Sequence, residues 1–294
     1  MATIAASRSS GDAFSLDLAV GAYQVVVATG FGPRLLGLRY RNGPELFARL
    51  SDDVAIEHPD AGTYRFHGGH RVWAAPEVPR ITYAGDDHRC DVKTAGPGFS
   101  VKAPADAAGL VKEIEVTPDG ERLLVDHRLT NSTTTGLSVA AWGITQFPLG
   151  GVAILPLGGS PAANAYQADR SVLLWPYTNV TDPRLTWTEG AALVKAVAGP
   201  RFKIGVGPRP GRLGYHKDGY LFAKEVPSAD EGEYPDRGAV GQVFVEAFFC
   251  ELESAGAITV LLPGSSVAHR EVWEVTECAD LRAACRQLLG GPTT

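Results

Sequence analysis

Leu110–Thr130, LVKEIEVTPDGERLLVDHRLT, carries the pattern that decides the fold. Val111-Lys112-Glu113-Ile114-Glu115-Val116 and Val125-Asp126-His127-Arg128-Leu129 both switch between apolar and polar sides. That is the period of antiparallel strands with one face on a core and one face in water. Pro118, Asp119 and Gly120 interrupt the pattern between them. Outward from this stretch the same short runs recur, separated by Gly, Pro, Asn and Asp: Tyr23–Ala28, Leu35–Tyr40, Gly98–Lys102, Leu137–Gln146, Ala153–Leu157, Ser171–Leu174 and Leu193–Val197. Phe202–Val206, Tyr220–Lys224, Gln242–Glu253, Ile258–Leu262 and His269–Val275 complete the set. More than a dozen strands with 34 Gly and 20 Pro among them predict an all-β sandwich or barrel of antiparallel sheets.

One helix is expected, over Asp280–Leu289, where Leu281, Ala284, Cys285, Leu288 and Leu289 repeat at helical spacing before Gly290-Gly291-Pro292 ends the run. It reads as a cap over a sheet edge. No repeat, low-complexity tract or polar linker divides the chain, so residues 1–294 are expected to form one domain with a flexible start over residues 1–15. The acidic, Pro-bounded segment Pro227–Gly238 reads as a long surface loop.

The 294 residues are 45% apolar and 20% charged, enough for a large core without staples. With 27 Lys+Arg against 33 Asp+Glu the net charge is -6, which argues against nucleic-acid or anionic-lipid partners. Cys90, Cys250, Cys278 and Cys285 have no zinc spacing and read as reduced thiols, and Met1–Gly11 lacks the apolar core of a secretory signal. No apolar run is long enough to span a bilayer. A cytoplasmic protein with no membrane partner is expected, which makes the sequons at Asn131 and Asn179 chance matches.

The densest cluster of chemistry-bearing side chains is Phe66-His67-Gly68-Gly69-His70-Arg71-Val72-Trp73-Ala74-Ala75-Pro76-Glu77. Two glycines permit a tight turn, after which His70, Arg71, Trp73 and Glu77 offer an imidazole, a cation, a flat plate and a carboxylate to one small ligand. Sugar recognition needs that mixture, because an aromatic face covers the C–H side of a pyranose while charged planar groups hold its hydroxyls. The alternative reading makes Trp73 core and His67 and His70 turn caps. His67-x-x-His70 lacks a third ligand at a metal-binding spacing, so no metal is expected.

A second cluster holds Lys203, His216, Lys217, Lys224, Tyr234-Pro235-Asp236-Arg237-Gly238 and the run Gln242–Glu253. Read as one strand, that run puts Glu246 on the face of Phe248 and Cys250 and Glu251 on the other, so the two carboxylates share a site only if a bulge intervenes. A lone acid in an apolar strand is costly unless paired or set in a cleft. Glu246 is therefore the first acid–base candidate, against a structural ion pair with Lys203 or Lys224, while Glu251 and Glu253 read as a solvated edge. Trp142, Trp175 and Trp187 add plates in polar company. Lys203, Lys217, Lys224 and Arg71 either hold a carboxylate or phosphate on a sugar or are scattered surface cations. No nucleophile elbow, phosphate loop or dinucleotide fingerprint is present, and Asp86-Asp87-His88 reads as a solvated hairpin tip.

Gly68–Glu77, Asp126–Asn131, Tyr234–Gly238, Glu251-Leu252-Glu253 and Leu262–Trp273, in that order, resemble the galactose mutarotase-like superfamily, above all an uncharacterised bacterial branch. The resemblance runs from about residue 20 to residue 275. It implies a β-supersandwich with a concave sheet that forms an open sugar-binding cleft, and an aldose 1-epimerase-like isomerase that needs no cofactor. In such enzymes a glutamate is the base on the anomeric hydroxyl and a histidine the acid on the ring oxygen. Glu246 resembles the base. His70, or His67 with Arg71, resembles the ligand-holding region, and Trp73, Glu77, Trp142, Trp175, Lys203 and Lys224 are the remaining expected contacts. The mid-chain histidine motif is missing near Gly136–Gln146, where Trp142 and Gln146 stand instead, which leaves His70, His216 or Lys224 as the acid. A non-catalytic sugar-binding protein and another sugar isomerase or lyase on the same scaffold are the competing readings.

Overall fold

The computed structural model describes residues 6–8, 14–159, 166, 168–207, 209, 211–226 and 232–290. In chain order its strands begin with β1 (Ala6–Arg8), β2 (Ser15–Val20), β3 (Tyr23–Ala28), β4 (Arg34–Tyr40), β5 (Ala55–His58), β6 (Gly62–Arg65), β7 (His70–Ala75) and β8 (Asp91–Ala95). Next come β9 (Gly98–Lys102), β10 (Leu110–Asp119), β11 (Arg122–Asn131), β12 (Leu137–Phe147), β13 (Val152–Pro156), β14 (Val172–Leu174), β15 (Leu185–Trp187) and β16 (Ala191–Lys195). The last are β17 (Phe202–Val206), β18 (Arg212–Lys217), β19 (Tyr220–Glu225), β20 (Gly241–Val245), β21 (Cys250–Ala255), β22 (Thr259–Leu261) and β23 (Ser266–Glu277).

An 11-stranded sheet runs β1-β2-β3-β4-β7-β12-β21-β20-β17-β14, with β22 paired to β12, and a 10-stranded sheet runs β15-β16-β13-β18-β19-β23-β11-β10-β9-β8. All pairings are antiparallel, including β10 on β11, where the alternating stretch forms a hairpin with Ile114 opposite His127. The core lies between the sheets, where Leu38, Val72 and Phe147 of the first meet Ile114, Val125 and Trp273 of the second. The all-β sandwich expected from the sequence is what forms. Burial of these side chains, each contributing roughly 1.5–3 kcal/mol, drives the two sheets together.

Four expectations need correction. Gln242–Glu253 is not one strand: a turn over residues 246–249, with Glu246 N–H donating to the Phe249 carbonyl at 3.1 Å, splits it into β20 and β21. Gly68-Gly69 does not merely present a loop. Both residues have positive φ, and an added Cβ would lie 2.0 Å from the Ala48 carbonyl oxygen and 2.2 Å from that of Leu35, so the pair threads the backbone into β7, a fully buried strand. Asp86 is no solvated tip, since it is buried and paired with the fully buried Arg34 at 3.0 Å.

Finally, the helix Leu281–Leu289, capped by Asp280 accepting from Ala283 N–H, packs on Ile154, Leu221 and Ala223, so it covers the outer face of inner strands and not an edge. In the segment Pro227–Gly238, residues 227–231 lie outside the described residues. Its end, Pro235–Gly238, is a turn in which Asp236 and Arg237 both take left-handed backbone angles.

Candidate functional site

Strand parity builds the site. In β7, His70, Val72 and Ala74 face the other sheet, while Arg71, Trp73 and Ala75 face outward. Trp142, Ile144 and Gln146 of β12, Glu251 and Glu253 of β21, Phe244 of β20 and Lys203 of β17 share that outward face. The turn at residues 246–249 resets the parity between Glu246 and Glu251. Both then line one cleft of about 180 Å³ together with Arg71, Trp73, Glu77, Trp142, Trp175 and Lys203. Ile56, Phe66, Tyr83, Tyr177, Arg201 and Phe244 complete the lining.

The floor is a set of matched ions. Gln146 stands opposite Glu251 in the β12–β21 register, and its amide donates to Glu251 Oε1 at 2.9 Å, as does Arg71 Nη2. The Arg71 guanidinium lies 4.0 Å over the Trp73 ring. Lys203 donates to Glu253 Oε2 at 2.8 Å, and its ammonium sits 4.8 Å from the rings of both Trp142 and Trp175. Burial pushes the Glu253 carboxyl up to about 7, against the pull of Lys203, and Glu251 beside it adds to the rise. At the rim Arg201 donates to Glu246 Oε1 at 2.9 Å.

The loop after β14 brings in the plates. Thr178 hydroxyl donates to the Lys203 carbonyl and accepts from Trp175 N–H, which holds Trp175 beside Lys203. Trp73 and Trp142 are buried to within 4% of full cover, so the plates open to a ligand are half-buried Trp175 and exposed Tyr177. Arg71 Nε and Nη1 and Trp142 Nε1 are buried donors without a partner, and Glu253 Oε1 is a buried acceptor without one. Such groups are rare in a finished interior.

His70, His67 and Lys224 are not in this cleft. His70 sits between the sheets, its Nε2 2.6 Å from His127 Nε2. Lys224 also points inward, fully buried on Glu271 at 2.8 Å, and Ser254, His269 and Trp273 join the same network. Burial alone would push Glu271 up, but Lys224 beside it holds it well below the usual carboxylate range. His67 stacks on Phe31 at 4.0 Å between Asp52 and Asp87.

Donor atoms of His70, His127 and Glu271, and of His67, Asp86 and Asp87, fall within 4.8 Å of one another. In the first set Lys224 already occupies Glu271, and in the second Arg34 occupies Asp86, so both carboxylates are neutralised by protein cations. His216 bonds the Cys278 carbonyl, and Lys217 pairs with Asp218. Sequence reasoning missed Arg201, Tyr83, Tyr177 and the placement of Glu251 and Glu253, both buried on the floor and not on a solvated edge. A turn placed at residues 246–249 would have found the last two.

No protein-family model matches the chain, and no curated protein matches its sequence. Among solved structures the chain is similar to a candidate aldose 1-epimerase from Escherichia coli K12, with a TM-score of 0.54, 14% identity, and coverage of 89% of this chain and 98% of that one. A candidate mutarotase from Salmonella typhimurium matches with a TM-score of 0.55, 11% identity, and coverage of 93% and 94%. A galactose mutarotase-like protein from Lactobacillus casei matches with a TM-score of 0.50 and 11% identity over 93% of this chain and 100% of its own. No helix among the described residues is long and apolar enough to cross a membrane.

Proposed function

On a chain with the galactose mutarotase-like fold, we propose that the outward cleft binds a single sugar unit and interconverts its anomers. The observation that carries this reading is Glu251. One of its carboxylate oxygens is fixed by Arg71 and Gln146, within the same ring-lined cleft as a lysine backed by a second carboxylate. Glu251 is then the base. The role moves to it from Glu246, which sits in a turn on the exposed Arg201 and serves to hold the ligand at the rim. Lys203 is the acid, with Glu253 as its proton partner.

In this scheme Glu251 takes the proton of the anomeric hydroxyl while Lys203 gives one to the ring oxygen. The bond between the anomeric carbon and the ring oxygen breaks, and the open-chain aldehyde rotates. Closure on the other face returns the first proton from Glu251 and the second to Lys203. Oxidation state is unchanged, so the cycle uses no redox cofactor. Trp175 and Tyr177 cover the apolar face of the ring, and the unpartnered Arg71 and Trp142 donors take its hydroxyls.

A second reading, sugar binding without catalysis, is favoured by one observation: among the described residues no histidine lines the cleft. Tryptophan fluorescence titrated with monosaccharides tests the binding common to both readings. A saturable change in wild type that is weakened in Trp175→Ala supports the site. No change with any monosaccharide contradicts it.

A further inference from the structure

We propose, resting on the reading of this cleft as a sugar site, that its preferred ligand is an amino sugar whose ammonium group is held by Glu77. The argument is an accounting of charge. Arg71 is matched by Glu251 at 2.9 Å, Arg201 by Glu246 at 2.9 Å and Lys203 by Glu253 at 2.8 Å. Among the described residues no lining cation is left over for a phosphate or carboxylate on the ligand. What is left over is negative. Glu77 lines the cleft and accepts from the Tyr83 hydroxyl, and among the described residues it has no ion pair. Outside the cleft lining, Asp236 and its exposed neighbour Arg237 share the pocket at the far side of Trp175, and neither side chain makes a hydrogen bond or ion pair among the described residues.

Two further features point the same way. Asp236 and its neighbour Arg237 hold consecutive left-handed backbone angles, φ 52° and 62°, a strained arrangement that places the Asp236 carboxylate beside the cleft, within electrostatic reach of Lys203 and Glu77. The cleft also already holds one ammonium against its rings, that of Lys203 between Trp142 and Trp175. A second ammonium near Glu77 would meet Tyr83 and Tyr177, whose ring faces favour cations. An anionic group there would meet the Glu77 carboxylate, and like charges at close range in a partly desolvated cleft repel.

Isothermal titration of the full chain with glucosamine, galactosamine, their neutral parent sugars, the uronic acids and the 6-phosphates, near neutral pH and low salt, tests the proposal. Expected is about fivefold tighter binding of an amino sugar than of its parent, the range of a single partly exposed ion pair. The 6-phosphates and uronates are expected to bind more weakly than the parents. The amino-sugar preference is expected to shrink with added salt and to disappear in Glu77→Gln. Glu77 is exposed, so this exchange leaves the fold intact, and Asp236→Asn provides a second variant on the same charge balance. Equal binding of amino and neutral sugars, tightest binding of an anionic sugar, or a preference that survives Glu77→Gln overturns the proposal while leaving sugar binding in place. No binding of any sugar overturns the underlying reading as well.

Discussion

His70 Nε2 and His127 Nε2 lie 2.6 Å apart at the centre of the protein, one carried by each large sheet. The direction of the chain of hydrogen bonds follows from its end. The His269 carbonyl only accepts, so His127 Nδ1 carries a proton and its Nε2 a lone pair. His70 therefore donates from Nε2, and its Nδ1 accepts from the Thr145 hydroxyl, 2.9 Å away. Both rings are neutral, and burial lowers the affinity of both for protons; burial likewise brings His269 down to about 3.

These histidines set an acid limit on the fold. An unfolded histidine takes up a proton near pH 6.5 while the folded one does not, so stability falls as pH drops below about 6.5 and goes on falling toward the folded value. Each contributes a slope of about 1.4 kcal/mol per pH unit over its window. Urea unfolding at a series of pH values is expected to show a steep loss between pH 6.5 and 5, made shallower in His127→Asn or His269→Asn. A stability that is flat over that range contradicts the neutral network.

Glu253 acts in the opposite sense. Its carboxyl is raised to about 7 in the folded chain, so its contribution to stability is full below the unfolded value and is lost as pH rises through about 7. In the proposed reaction the Lys203–Glu253 pair holds one proton more below that pH, so anomer exchange is expected to slow as pH rises through about 7. Glu253→Gln is expected to remove that inflection, read from the pH profile of the exchange rate.

Trp73 and Trp175 separate packing from binding. Trp73 is buried under Arg71 and hydrogen-bonded to Tyr64, so Trp73→Ala is expected to cost about 3–5 kcal/mol in chemical unfolding. Trp175 is half-buried at the mouth. Trp175→Ala is expected to leave stability within about 1 kcal/mol of wild type while weakening sugar binding severalfold by titration.

The Arg71–Glu251 pair is buried, and removing one partner strands the other. Arg71→Met is expected to lower stability by about 3–5 kcal/mol. Glu251→Gln keeps an oxygen for Arg71 and Gln146 but leaves the buried guanidinium without its counter-charge, so it is expected to cost about 3 kcal/mol, less than Arg71→Met. Thermal unfolding of the two variants side by side checks the contrast.

The architecture was legible because alternation of the Val125-Asp126-His127 kind is enforced by the sheet itself: one face must be dry. Much of the outward face was legible by side-chain type and not by alternation: Arg71, Trp73, Glu77, Trp142, Trp175, Lys203 and Glu246 were singled out as cations, plates and carboxylates suited to a sugar, and they line one cleft. His70 was misplaced because the Gly-Gly pair reads as a turn, when the close approach of the backbone at Ala48 and Leu35 makes it the start of a central strand, where parity sends His70 inward. Glu246-Ala247-Phe248-Phe249 contains no Gly, Pro, Asn or Asp, so nothing local announced the turn that carries Glu251 into the site. Lys224 and Glu271 reveal themselves as an interior pair only once the register of β19 on β23 is known.

The central claim is that Glu251 moves the anomeric proton. Proton NMR exchange spectroscopy on the sugars that bind, with wild type, Glu251→Gln and Glu246→Gln, tests it most directly. The account predicts accelerated anomer exchange in wild type, its loss in Glu251→Gln with binding retained, and activity persisting in Glu246→Gln. Exchange undiminished in Glu251→Gln, or no acceleration by wild type on any sugar it binds, would contradict it.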